Sequence, residues 1–322
     1  MRKVTYLRVS VTDRCNFACL YCAPRGRRRH IPHSEILRYE EIVKIAEAFK
    51  ELGVDTVRVT GGEPLVRKEV EKLIESLSSL GLKEVSLTTN GFLLQEKAKA
   101  LKEAGLSRVN ISIDSLNPEK FAQITGTGDT KALGKVIQGL EAAIEAGLTP
   151  VKVNTVLIRG FTDSELEDFV RFSEEYNVEV RFIELMPIGE NTYAKEKFMP
   201  VSEVKEALES RFGKLTPVSV KKKGPASSFK VNGTGAVVGF IPSVSQHFCA
   251  YCNRMRLTSD GRLRMCLVVD EEVDLKKVIR PNFSKVRLVE SVLEAFRRKS
   301  GITGIHALKG VGCQESMTAI GG

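Results

Sequence analysis

Short apolar runs alternate with longer stretches in which Leu, Ile and Val return every third or fourth residue. This rhythm holds through the first two thirds of the 322-residue chain. The strand-like runs are 4–11, 56–60, 84–88, 108–113, 151–157 and 179–185, and the helix-like stretches between them are 39–52, 67–80, 95–104, 131–146 and 163–176. Gly53, Gly81, Gly105 and Gly147 each follow one of these stretches, where a helix end calls for a left-handed residue. Six consecutive strand–helix units predict an α/β fold with a parallel sheet, and six units are two short of a closed eightfold barrel.

Past residue 200 the rhythm changes. A helical stretch at 201–211 leads to the basic link Lys221-Lys222-Lys223-Gly224-Pro225, then to a hairpin pattern at 228–231 and 236–241 around Asn232-Gly233. The expected division is a barrel over residues 1–220 and a smaller α+β region over 221–322. Distinctive residues gather at the ends of the predicted strands: a cysteine loop after the first, Gly61-Gly62-Glu63-Pro64 after the second, and Thr89-Asn90-Gly91 after the third. Ser112 and Asp114 end the fourth, and Glu184-Leu185-Met186-Pro187 the sixth. A doubly wound sheet concentrates its chemistry at one switch point, whereas a barrel gathers all its strand ends on one rim. The distribution favours a partial (β/α)6 barrel.

Charge and composition narrow the partners. No run of about 18 apolar residues is present to span a membrane, and no cleavable leader is visible, so a cytoplasmic location is expected. Lys and Arg number 49 against 40 Asp and Glu, a net charge of +9 that favours anionic ligands. Arginines crowd at Arg25, Arg27, Arg28 and Arg29. Of seven cysteines six fall in two tight groups, which argues against a disulfide framework and leaves Cys313 alone.

The first group, Cys15-x3-Cys19-x2-Cys22, places three thiolates on one short loop. A four-iron cluster has four ligand positions, so three cysteines leave one iron open. The second group is Cys249-x2-Cys252-x13-Cys266. Here zinc competes with a cluster, and His247 stands where a fourth zinc ligand would. Arg254 and Arg256 follow on one face of a strand pattern, a pair of guanidiniums suited to phosphate. No G-x-S-x-G, Walker loop or H-E-x-x-H occurs, which removes the usual hydrolase and kinase readings.

The first cysteine loop and G-G-E-P resemble the radical S-adenosylmethionine enzymes. Together with Cys249-x2-Cys252-Asn253-Arg254-x-Arg256, Cys266 and the terminal Gly321-Gly322, the chain resembles the GTP 3′,8-cyclase family of molybdenum-cofactor biosynthesis. The resemblance implies two [4Fe–4S] clusters, one on Cys15, Cys19 and Cys22 and one on Cys249, Cys252 and Cys266. It implies S-adenosylmethionine at Tyr21, Gly62, Ser112 and Met186, and GTP at Arg8, Arg58, Thr89, Lys152, Arg254, Met255 and Arg256. Arg8, Arg254, Arg256, Gly321 and Gly322 carry catalytic roles in that reading, with the tail threading into the site, and Arg181 orients the cofactor. The implied lyase reaction takes hydrogen from C3′ of GTP with a 5′-deoxyadenosyl radical and closes a bond from C3′ to C8, the second cluster holding the guanine. The implied partners are an electron donor, a second copy in a homodimer and the next enzyme of the molybdopterin pathway, with neither membrane nor nucleic acid. The chain departs from the family in its arginine-rich segment after Cys22 and in Glu315, where many relatives carry arginine. Two rival readings remain at this stage, a peptide-modifying radical enzyme with an auxiliary cluster and a zinc-containing nucleic-acid-binding protein.

Overall fold

The computed structural model describes residues 3–23, 30–188, 196–218, 224–246, 249–301 and 315–321. Six parallel strands lie side by side in chain order: β1 (Tyr6–Ser10), β2 (Thr56–Thr60), β3 (Glu84–Thr89), β4 (Arg108–Ser112), β5 (Lys152–Leu157) and β6 (Glu179–Glu184). The connecting helices are α1 (Tyr39–Glu51), α2 (Val70–Ser79), α3 (Leu94–Glu103), α4 (Pro118–Thr125), α5 (Ala132–Glu145) and α6 (Leu166–Glu175). Strands and helices fall within a few residues of the positions that periodicity predicts. The exception is α4, a short helix that periodicity misses. Asn117 starts it by accepting a hydrogen bond of 3.0 Å from the Lys120 amide, and Pro118 fills the first turn.

The remaining helices are α7 (Val201–Phe212), α8 (Lys276–Ile279), α9 (Lys285–Gly301) and α10 (Met317–Ile320). The C-terminal strands join the barrel sheet at both of its edges. Beyond β6 lies β9 (Val237–Ile241), parallel to it, followed by antiparallel β8 (Ser227–Lys230) and β7 (Thr216–Pro217). Beyond β1 lies β10 (Arg254–Leu257), also parallel, followed by antiparallel β11 (Arg262–Arg264) and β12 (Glu272–Asp274). All twelve form one sheet. The predicted hairpin is β8–β9, shifted by about a residue at each strand, with Gly233 in the left-handed region at φ 73°.

Burial alternates along the barrel strands with the two-residue period of a pleat. Leu7, Val9, Val57, Val59, Leu87, Val109, Ile111, Val153 and Phe182 face the helices and pack with Ile42, Ile45, Phe49 and Leu73 in one fully buried core. Each such side chain contributes roughly 1.5–3 kcal/mol on burial. The opposite face carries Arg8, Arg58, Asn110, Lys152, Asn154, Glu179 and Arg181, which line a cavity of about 750 Å³ inside the barrel. The interior is therefore an open cavity that carries charged and amide side chains rather than a packed core, which is the property that makes a site possible. No helix among the described residues is long and apolar enough to cross a membrane.

Candidate active site

The C-terminal ends of β1 and β2 do not part after the strands finish. Val11 donates to the Thr60 carbonyl (2.9 Å), Gly62 to Thr12 (2.6 Å) and Glu63 to Arg14 (2.8 Å), so the cysteine loop and the G-G-E-P loop run on as a ladder. Gly62 permits this approach, because a Cβ there would meet the Arg14 carbonyl oxygen at 2.3 Å. The cysteine loop is pinned further by Phe17, which stands edge-on to Phe92 and Phe121, and by bonds from Ala18 and Leu20 to the Thr125 and Ile124 carbonyls at the end of α4. The Cys15 sulfur accepts from the Phe17 amide at 3.4 Å and from the Asn90 side-chain amide at 3.9 Å.

Two buried carboxyls brace this rim. Glu63 accepts from Leu65 N (2.9 Å), the Thr89 hydroxyl (2.7 Å) and Asn90 N (2.6 Å), joining the second and third strand ends. Burial pushes its pKa up to about 7, against the pull of those donors. Asp114 accepts from the Tyr21 hydroxyl (2.6 Å) and from Val156 N (2.9 Å), and burial raises it to about 6. The hydroxyl of Thr89 is committed to Glu63 and to the Gly91 amide. Ser112 and Met186 stand in the cavity wall near the same rim.

The second triad occupies the opposite end of the barrel. Cys249 and Cys252 immediately precede β10, which runs parallel to β1, while Cys266 follows β11, which runs antiparallel to it. Both connections therefore lie at the N-terminal end of β1, whereas the first triad follows its C-terminal end. The five residues of β1 between these levels span about 13 Å at ~3.3 Å per step. All six cysteines are half-buried thiols outside any disulfide, and all six line the one cavity. Burial opposes ionisation of the Cys252 thiol, yet Lys299 and then Arg254 hold its pKa below the ordinary range.

Between the two triads runs a row of three guanidiniums. Arg8 on β1 is in register with Arg256 on β10 on one side and with Arg58 on β2 on the other. Desolvation, followed by the neighbouring Arg256 charge, pushes the Arg8 pKa well below its usual range, and desolvation and Arg254 bring Arg256 down to about 10. The Arg58 Nε is buried without a partner among the described residues. Across the cavity Lys152 (2.7 Å) and Arg181 (3.0 Å) share Glu179, and Arg108 pairs with Glu84 at 2.7 Å.

The tail reaches the cavity, whose wall includes Met317 and Thr318. Glu315 accepts from Arg262 on β11 at 2.7 Å, α10 follows, and Gly321 reaches the barrel with φ 73°. A Cβ on Gly321 would meet the Ser10 Cβ at 2.8 Å, and its carbonyl accepts from Arg256 at 2.8 Å. Ile320 is fully buried beside Ile188, Met186 and Leu267.

Most of the sequence-selected side chains thus meet in one cavity. Met255 does not: it is fully buried in the apolar core, in register with Leu7, because it alternates with Arg254 and Arg256 along β10. Gly322, His247, Cys313 and the Arg25–Arg29 run lie outside the described residues. Sequence reading missed Arg108, Asn110, Asn154, Glu179 and Lys299, all in the cavity wall. The first four carry a signal that was available, a polar residue at every second place of an otherwise apolar strand. Lys299 lies on the amphipathic helix α9 and carries no such mark.

Among the described residues no three His, Cys, Asp or Glu side chains stand close enough to hold a lone metal ion. The donor chemistry fits iron–sulfur ligation: soft thiols in two threes, cationic neighbours beside one set, and backbone amides near the other. The sequence matches the Radical SAM superfamily over residues 9–173 and Molybdenum Cofactor Synthesis C over residues 178–303. It is 46% identical over 300 residues to GTP 3′,8-cyclase of Thermodesulfovibrio yellowstonii, covering 92% of each chain. It is also 46% identical over 305 residues to that of Petrotoga mobilis, covering 92% of this chain and 93% of the relative. The chain belongs to the GTP 3′,8-cyclase family. Among solved structures, anSMEcpe with bound AdoMet shares the fold at a TM-score of 0.57 and 19% identity, over 98% of this chain and 88% of that one. Streptococcus suis SuiB bound to precursor peptide SuiA aligns at a TM-score of 0.62 and 16% identity, over 86% of this chain and 65% of that chain's length. Both likenesses speak for the partial barrel alone.

Proposed function

We propose that this chain is a radical S-adenosylmethionine GTP 3′,8-cyclase, a lyase that joins C3′ of the ribose to C8 of the guanine at an early step of molybdenum-cofactor biosynthesis. Cys15, Cys19 and Cys22 hold a [4Fe–4S] cluster at the rim, with S-adenosylmethionine against Tyr21, Gly62, Ser112 and Met186. Cys249, Cys252 and Cys266 hold a second cluster at the floor. When bound, these groups supply a carbon radical at one end of the cavity and an open iron for the purine at the other.

The chain's own residues fix the substrate between them. The observation that carries this reading is the row Arg256–Arg8–Arg58, three cations in register on adjacent strands between two thiol triads. Like charges this close, one with a buried Nε lacking a partner among the described residues, make an anion site that is costly until an anion fills it. Lys152 is half-neutralised by Glu179 and adds a weaker contact, and Arg254 completes the wall. The tail, anchored by Glu315 and inserted at Gly321, shields the reacting carbons from water and oxygen. The Tyr21–Asp114 bond holds the last turn of the cysteine loop in place. The reading extends to a cytoplasmic homodimer that draws electrons from a separate reductant and passes its product to the next enzyme of the pathway.

The test is anaerobic incubation with dithionite, S-adenosylmethionine and GTP. Both 5′-deoxyadenosine and a cyclised guanosine triphosphate are expected. Deoxyadenosine with GTP left intact would overturn the substrate, and iron at the level of one cluster per chain would overturn the second cluster.

A further inference from the structure

Lys299 is a buried lysine that no sequence motif marks. It lies on α9, fifteen positions into the helix by the numbering from Lys285, with only 3% of its surface exposed. Its ammonium donates to the Met265 carbonyl at 2.8 Å and stands 3.7 Å from the Cys252 sulfur. Met265 directly precedes Cys266. One side chain therefore touches the loop of one cysteine and the sulfur of another, tying together the two halves of a triad that thirteen residues separate in sequence.

We propose that Lys299 is a positioning residue of the second cysteine triad, which holds Cys252 and Cys266 at their spacing and raises the reduction potential of the cluster they bind. This rests on the second-cluster reading above. Net charge and hydrogen bonds to sulfur set cluster potentials. A cation within a few ångströms, itself buried, stabilises the more negative, reduced form. Arg254 lines the same cavity, but its strand position places it in the wall. Lys299 lines it too, but from α9, and its ammonium is the one placed 3.7 Å from the Cys252 sulfur. The reach depends on the four-carbon stem, which α9 buries beside Phe296 and Ala295, both in the core.

The background for the test is the full chain with Cys15, Cys19 and Cys22 all changed to Ala, so that iron can be held only by the second triad. Iron and sulfide per chain are measured first. If this parent holds none, the second-cluster reading itself fails. If it holds a cluster, its midpoint potential is followed by electron paramagnetic resonance during a redox titration, with Lys299→Met and Lys299→Arg compared with the parent.

Lys299→Met is expected to shift the potential to a more negative value, and Lys299→Arg to restore most of that shift. Loss of iron in Lys299→Met at an unchanged melting temperature, with iron retained in Lys299→Arg, would also support the proposal. A parent-like potential in Lys299→Met would overturn it. Loss of iron together with a collapsed fold, in Lys299→Met and Lys299→Gln alike, would make the lysine a strut for α9 and overturn it as well.

Discussion

The guanidinium of Arg256 donates a 2.8 Å hydrogen bond to the carbonyl of Gly321, linking the wall of the barrel to the end of the chain. A charged donor to a carbonyl contributes about 1.5–3 kcal/mol. Arg256→Lys, which keeps the charge and loses the fork, should lower cyclisation of GTP by about 10–100-fold. Gly321→Ala should do at least as much, since the added Cβ meets Ser10 at 2.8 Å in a left-handed backbone. Single-turnover product formation measures both, and wild-type rates in Gly321→Ala would show that the tail has no place in the reaction.

Arg8 should trade stability for binding. It stands between Arg58 and Arg256, and its lowered pKa records the cost of charge there. Arg8→Met should raise the melting temperature of the GTP-free protein and weaken GTP binding about 10–100-fold, the loss of one charge-assisted contact. Thermal melts and calorimetric titration with GTP read the two effects separately. A variant less stable without GTP would contradict the account of the row.

Gly62→Ala should be severe for a small change. Its Cβ would fall 2.3 Å from the Arg14 carbonyl oxygen, so the two loops must separate. Overpacking of this kind costs on the order of 1–3 kcal/mol. The expected result is a folded protein that keeps iron at the second triad and loses it at the first, read by iron per chain against the Cys15→Ala, Cys19→Ala, Cys22→Ala protein.

Glu179 gives a pH signature. Burial alone would raise its pKa, but Arg181 and then Lys152 overcome this and hold it at about 2. A carboxylate with a depressed folded pKa contributes stability that is full above the unfolded value near 4.5 and is lost as pH falls toward about 2. The contribution is up to about 3 kcal/mol. Glu179→Gln should therefore melt well below the wild type at pH 6, with the gap narrowing progressively below pH 4.5. A gap independent of pH over that range would exclude the ion pairs as its source.

Much of this fold and site was legible in the sequence, for identifiable reasons. Local signals are strong where one face is buried: Thr56–Thr60 is bounded as predicted, and the glycines after α1, α2, α3 and α5 take the expected positive φ. Cys15, Cys19 and Cys22 could be grouped because eight residues of chain keep them together. Long-range pairing was not legible. Nothing in Arg254-Met255-Arg256-Leu257 says that it lies beside Tyr6–Val9, and the row of arginines exists only through that register. The side chain of Met255 parts from its neighbours for a related reason. Pleat alternation sends it to the core, while proximity in sequence groups it with its functional neighbours. Lys299 was invisible because its partners, Cys252 and Met265, lie 47 and 34 positions away.

The flanking strands also set an order of events during synthesis. Until β9 and β10 emerge, β1 and β6 each present an open edge, an invitation to pairing with other chains. Neither edge of the six-stranded sheet is covered before the last third has been translated. Nascent polypeptide stalled at residue 230 should therefore aggregate rather than wait.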